Sequence, residues 1–217
     1  MIEKLITLSG ASTVAAEAYR ALRTNLIFSE MDDKLRALLV TMPAPESDSG
    51  SKATLVANLA VTMAQSGRRT LLVDCDLRHP CQHEIWGISN DTGLSRVLAS
   101  GDEVRTVDVG VEHLTVLSAG PRPDNPADLL GSRQMEALIT QLKDQAEFVI
   151  FDSPPVLAVT DAALLAPHMD GVLLVLNVGK TRRDHAERAR ELLARVRAPM
   201  IGAVLNNAPV DASISAY

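Results

Sequence analysis

Aromatic residues are scarce in this chain: Phe, Tyr and Trp make up 3% of its 217 residues. The core must therefore be filled by Leu, Val, Ile and Ala. Cysteine is nearly absent too. Two residues make no disulfide framework and suit a reducing compartment. No apolar run approaches the roughly 20 residues of a membrane span, so no direct span is expected. The first residues mix polarity, so no export signal is expected. Positive charge is not in excess: 21 Lys and Arg against 27 Asp and Glu give a net charge of −6. That balance argues against a general binder of nucleic acid or acidic membranes.

What is present is a regular alternation. Short apolar, β-branched runs at 36–41, 70–74, 114–118, 147–152, 171–178 and 200–205 read as strands. Helical patterns fall at 12–31, 52–66, 126–143, 161–167 and 181–197, with short pieces near 80–86 and 92–99. Runs such as Thr70-Leu-Leu-Val-Asp74 and Phe148-Val-Ile-Phe-Asp152 are apolar throughout, as in strands buried on both faces. The order predicts an α/β fold: a doubly wound, mostly parallel sheet with helices on both faces. No repeat or long linker divides it, so residues 1–217 read as one domain, with 206–217 as a small, polar tail. In the first helix, Val14, Ala18, Leu22 and Leu26 lie four apart and suggest the buried stripe.

The chemistry gathers at strand ends. Residues Pro43 to Thr54 stand between an apolar run and a helical run, where a Walker A phosphate loop belongs. Counting back from Lys52, the pattern asks for glycine at 46 and 51 and a hydroxyl at 53. The chain has Glu46, Ser51 and Ala53. Glycines there let backbone N–H groups close around phosphates. In their place, Gly50 and Ser51 could offer N–H groups, with Thr54 supplying a hydroxyl. Two further runs end in carboxylates: Asp74 and Asp76 after one, Asp152 after the other. Ligands of doubly wound sheets sit beyond such ends, and carboxylates there suit Mg²⁺. Asp152 fits a Walker B role. Asp74 and Asp76 fit a metal contact and a base for an acceptor hydroxyl.

Cys75, His79, Cys81 and His83 are close in sequence, but their spacing is not that of a zinc site. The helix at 181–197 is rich in arginine yet interleaved with Asp184, Glu187 and Glu191, which reads as a solvated face.

Several segments together resemble the bacterial tyrosine kinases of capsule and exopolysaccharide synthesis, P-loop proteins related to MinD/ParA ATPases. Glu17-Ala-Tyr-Arg20-Ala-Leu-Arg23-Thr-Asn25 resembles the family's E-x-x-R…R-T-N helix. Asp74-Cys-Asp76-Leu-Arg78-His-Pro80 resembles its second Walker-type motif. Gly93-Leu-Ser95, Asn125-Pro-Ala-Asp-Leu-Leu130 and Asp152-Ser-Pro-Pro155 match further signatures. The resemblance implies Mg²⁺ and ATP/ADP as cofactors. Lys52 would face the β- and γ-phosphates, and Asp74, Asp76 and Asp152 would be catalytic, with Asp74 and Asp152 at the metal. Arg182 would lie near the nucleotide or a subunit contact. It also implies a homo-oligomeric ring built through residues 1–35, with Glu17, Arg20 and Arg23 at the interface. The implied setting is cytoplasmic, recruited to the inner membrane face by the cytoplasmic segment of a membrane polysaccharide chain-length regulator. The family's tail carries a cluster of tyrosines that neighbouring subunits phosphorylate; in the last residues of this sequence Tyr217 is the one candidate phosphoacceptor. The altered loop keeps a second reading open, a pseudokinase scaffold of the same fold. A MinD/ParA-type ATPase is a third, but 43–51 lacks that group's extra lysine.

Overall fold

In the computed structural model, seven short runs form one sheet; residues 5–8, 13–28, 35–46 and 50–209 are described. The strands are β1 (Ala37–Thr41), β2 (Thr70–Asp74), β3 (Val107–Asp108), β4 (Leu114–Leu117), β5 (Phe148–Asp152), β6 (Gly171–Asn177) and β7 (Met200–Asn206). Their order is β3-β4-β2-β5-β1-β6-β7. All pairings are parallel except that of β3 with β4. The chain leaves β1 for β2 on one side and places β6 on the other. The topological switch, and the crevice it opens, therefore lies at the carboxyl end of β1.

Strand side chains alternate between two cores, as a period of two requires. Leu39, Val73, Val149, Phe151 and Leu174 join one core. Leu38, Val40, Leu72, Ile150 and Val175 join the other. The second is covered by α1 (Val14–Phe28), α2 (Gly50–Ala64) and α3 (Gln82–Trp86). The first is covered by α4 (Leu94–Ser100), α5 (Pro126–Leu130), α6 (Arg133–Gln145), α7 (Asp161–Leu165) and α8 (Arg183–Arg195). The doubly wound architecture expected from sequence is the one observed. No helix among the described residues is long and apolar enough to cross a membrane.

Four local expectations change. The helix expected at 126–143 is two helices, because the chain is extended at Ser132, whose hydroxyl caps α6 by accepting from the Met135 N–H at 3.2 Å. Strand β3 was not anticipated; two exposed residues carry no pattern. The segment 161–167 becomes α7 followed by a 3-10 turn, Ala166–His168, around Pro167. In α1 the buried stripe is not Val14, Ala18, Leu22 and Leu26. Each four-residue step overshoots a helical turn by about 40°, so Val14 and Leu26 end about 120° apart. Ala16 and Leu26 are buried, Tyr19 and Leu22 pack partly, and Val14 is 48% exposed.

Candidate active site

The site begins with a register. Asp74 and Asp152 are paired residues on adjacent parallel strands, so both carboxylates leave the sheet on the same side. They meet beneath the first turns of α2, in the wall of a cavity of about 300 Å³. Lys52, Ala53, Asp76, Arg78, Cys81 and Pro154 also line it.

Asp74 is fully buried. One oxygen accepts from the Asp76 N–H at 3.1 Å; the other accepts from the Cys81 and Gln82 N–H groups at 3.1 and 3.0 Å. Three donors do not offset its surroundings. Burial, and then the charge of Asp152, push Asp74 up to about 8. Asp76 closes a turn by accepting from the N–H groups of Arg78 and His79 at 3.3 and 2.9 Å. Its acidity is also weakened, chiefly by burial.

Lys52 points down into the carboxylates. Its ammonium pairs with Asp152 Oδ1 and donates to the Ser153 carbonyl at 2.7 Å. Burial alone would lower the lysine, but Asp152, together with Asp76 and Asp74, holds it above its ordinary value. The second oxygen of Asp152 accepts from Gln82 Nε2 at 2.7 Å. Arg78 clasps the buried Asp161 with two bonds of 2.9 Å, joining the loop after β2 to the start of α7. Neither Gln82 nor Asp161 was singled out as a site residue from sequence. An apolar strand ending in Asp is a local signal; a glutamine eight residues past a strand's end carries none.

The phosphate-loop position is built differently. Residues 47–49 lie outside the described part, and α2 starts at Gly50. The Glu46 carboxylate is turned toward β6: it accepts from Asn177 Nδ2 at 2.5 Å and Thr181 Oγ1 at 2.7 Å. The Ser51 hydroxyl contacts Asn177 Oδ1 at 3.3 Å and accepts from Asn206 Nδ2 at 2.8 Å. The two residues that stand where glycines were expected are thus the ones that fasten the loop's ends. Ala53 is buried in the cavity wall. Thr54 is half-buried one position further along α2.

Arg182 pairs with Asp184 through bonds of 2.9 and 3.0 Å and, with His185, lines a neighbouring hollow that shares Pro45 and Glu46 with the carboxylate cavity. On α1, Glu17 and Arg20 pair with each other, and Arg23 donates to the Thr62 carbonyl of α2 at 3.1 Å. Tyr19 packs against the same core, and burial pushes its phenol up to about 12. Tyr217 is outside the described residues. Cys75 is buried, and burial holds its thiol well above the usual range. Cys81 donates to the His79 carbonyl at 3.1 Å.

A parallel sheet with a buried lysine and carboxylates converging at its switch point defines a nucleotide-binding α/β domain. Residues 44–215 match the CobQ/CobB/MinD/ParA nucleotide binding domain. Tyrosine-protein kinase YwqD of Bacillus subtilis (strain 168) is 38% identical over 208 residues, 95% of this chain and 86% of the relative. Putative tyrosine-protein kinase CapB of Staphylococcus aureus is 35% identical over 210 residues, 95% and 90% of the two chains. The crystal structure of the chimerical protein CapA2B2 superposes with a TM-score of 0.89 at 36% identity, covering 95% of this chain and 90% of the other. Within that nucleotide-binding class, the chain belongs to the bacterial tyrosine kinase family.

The residues present suit Mg²⁺ and a nucleotide. Two strand-end carboxylates are oxygen donors of the kind a hard cation takes. The amino terminus of the 15-residue α2, with no acidic residue in its first turn, suits phosphate. Glu46 also lines the cavity, its two oxygens held by the neutral groups of Asn177 and Thr181, so its negative charge still opposes phosphate. Positions 46 and 51 lack the expected glycines, and position 53 lacks the expected hydroxyl.

Proposed function

We propose that this chain transfers the γ-phosphoryl group of Mg-ATP to tyrosine, in the cytoplasm, in the control of exopolysaccharide or capsule synthesis. The observation that carries the reading is the convergence of Lys52, Asp74, Asp76 and Asp152 on one cavity. Asp74 and Asp152 would hold Mg²⁺. Lys52, with the N–H groups of Gly50 to Thr54 at the start of α2, would hold phosphate. Bound there, Mg-ATP supplies the phosphoryl group and a cation that neutralises charge as it transfers. Asp76 is less deeply buried than Asp74 and lines the same cavity; it would take the proton of an acceptor hydroxyl. The enclosing wall of Met42, Pro154 and Pro155 limits water.

Calorimetry with Mg-ADP tests this directly. Binding is expected below millimolar concentration and should vanish in Lys52→Met. No heat at millimolar nucleotide would defeat the kinase reading. The scaffold reading would then stand; the side-chain fastening of Glu46 and Ser51 and the missing hydroxyl at 53 favour it.

The partners belong to the same proposal: a ring of like chains, and the cytoplasmic segment of a membrane polysaccharide chain-length regulator that recruits the protein to the membrane. Support for the ring comes from α1. Val14, Ala18, Ala21, Asn25 and Phe28 are all exposed at spacings of 4, 3, 4 and 3, a seam of small and apolar residues beside Glu17 and Arg20. Arg20→Ala with Ala21→Glu should leave a monomer by light scattering. An unchanged mass would reject α1 as the interface.

A further inference from the structure

We propose that Gln82 is a positioning residue of this site, which aims the Asp152 carboxylate and is itself held in one orientation by Trp86. Its importance for catalysis rests on the kinase reading; the hydrogen-bond chain does not. Gln82 is fully buried, and every polar atom of its side chain is used. Nε2 donates to Asp152 Oδ2 at 2.7 Å and to the Ala53 carbonyl at 3.1 Å. Oε1 accepts from the Trp86 indole N–H at 3.1 Å. Its backbone N–H donates to Asp74 at 3.0 Å. One residue therefore touches both carboxylates and the first turn of the phosphate helix.

The orientation of the amide is fixed by chemistry. An indole N–H can only donate, so it must face the amide oxygen. That leaves the NH₂ group facing two acceptors, a carboxylate and a carbonyl. Reversing the amide would set a donor against Trp86 and an oxygen against Asp152. Asp152 is then gripped on both oxygens, by Lys52 from α2 and by Gln82 from α3. Its plane, and its spacing from Asp74, are set before any ligand arrives. Groups that orient a metal-holding carboxylate typically change metal affinity about 10–100-fold when removed.

Trp86 is the chain's single tryptophan, so a ¹⁵N-labelled sample shows one indole N–H resonance. In the full chain without nucleotide, Asp152→Asn should move that resonance. In a Gln82→Met background the same change should leave it in place. Equal movement in both backgrounds, or none in the first, would overturn the chain from Asp152 to Trp86. Gln82→Glu keeps an acceptor for Trp86 but sets a carboxylate against Asp152. It should keep the indole resonance near its original position while weakening Mg-ADP about 10–100-fold by calorimetry. Unchanged affinity in both Gln82→Met and Gln82→Glu would overturn the positioning role. If the wild-type chain shows the indole coupling yet binds no Mg-ADP, the kinase reading fails and the aiming of Asp152 by Gln82 stands.

Discussion

The carboxylate wall of the cleft is tied by backbone amides and buried side chains, whereas the loop facing it is tied by two exchanged side chains. Asp74 and Asp152 sit on strands whose every residue is buried, and their partners are the N–H groups of the following turn, Lys52 and Gln82. Glu46 and Ser51 depend on Asn177, Thr181 and Asn206, residues at the open ends of β6 and β7. The first arrangement follows from the sheet and changes little without unfolding it. The second is a local solution. It fastens the loop by hydrogen bonds where glycine would have left backbone N–H groups to the ligand.

The largest effect should come from the buried wall. Asp152→Ala leaves the Lys52 ammonium buried without its partner and should cost about 3–5 kcal/mol in urea unfolding. Lys52→Met should cost less, since Gln82 still satisfies one oxygen of Asp152. Equal losses would mean that the carboxylate has no larger part than the lysine in organising the wall.

The next effect lies in pH. Asp74 is pushed up to about 8, burial first and Asp152 second, whereas an unfolded aspartate titrates near 3.9. Between those values the unfolded chain gives up a proton that the native chain keeps. The contribution of protonated Asp74 is full below about pH 4 and is lost as pH rises through about 8. Thermal unfolding of the ligand-free protein should therefore show falling stability across that window, and Asp74→Asn should flatten the slope. An unaltered slope in the variant would assign the pH dependence elsewhere.

On the loop side the effects are smaller. Ala53→Ser returns a hydroxyl beside Lys52, a contact worth about 1.5–3 kcal/mol when charge-assisted, and should tighten Mg-ADP at least about tenfold by calorimetry. No gain would show that the loop's fastening, not the missing hydroxyl, limits affinity. Smallest of all, Glu46→Gln loses one of two accepted hydrogen bonds and should cost about 1 kcal/mol. A loss comparable to that of Asp152→Ala would erase the distinction between the two sides.

Much of the wall was legible because its signals are local. A run such as Phe148-Val-Ile-Phe-Asp152 declares a buried strand and its functional end within five residues, and the same holds for Thr70 to Asp74. Lys52 could be assigned its helix and its neighbourhood. Its direction could not, since the choice between a phosphate and Asp152 is made by a strand 100 residues away. Gln82 was hidden for the same reason: its meaning comes from Ala53, Asp152 and Trp86 arriving together. Glu46 and Ser51 were visible as departures from a pattern, but Asn177 and Asn206, which use them, were not visible as their partners. The Ser132 cap was within reach of sequence reasoning, and the continuous apolar periodicity of 126–143 masked it.

The pairing of Lys52 with Asp152 makes the two halves of any ligand interdependent. A cation alone at Asp152 would displace the ammonium and strand it in a buried, low-dielectric place. A polyphosphate alone at Lys52 would strand the carboxylate in the same way. Only a ligand bringing both charges compensates both groups at once. The resting site thus competes against either component with a tethered counter-ion that never dilutes, and metal and nucleotide should bind with strong positive coupling.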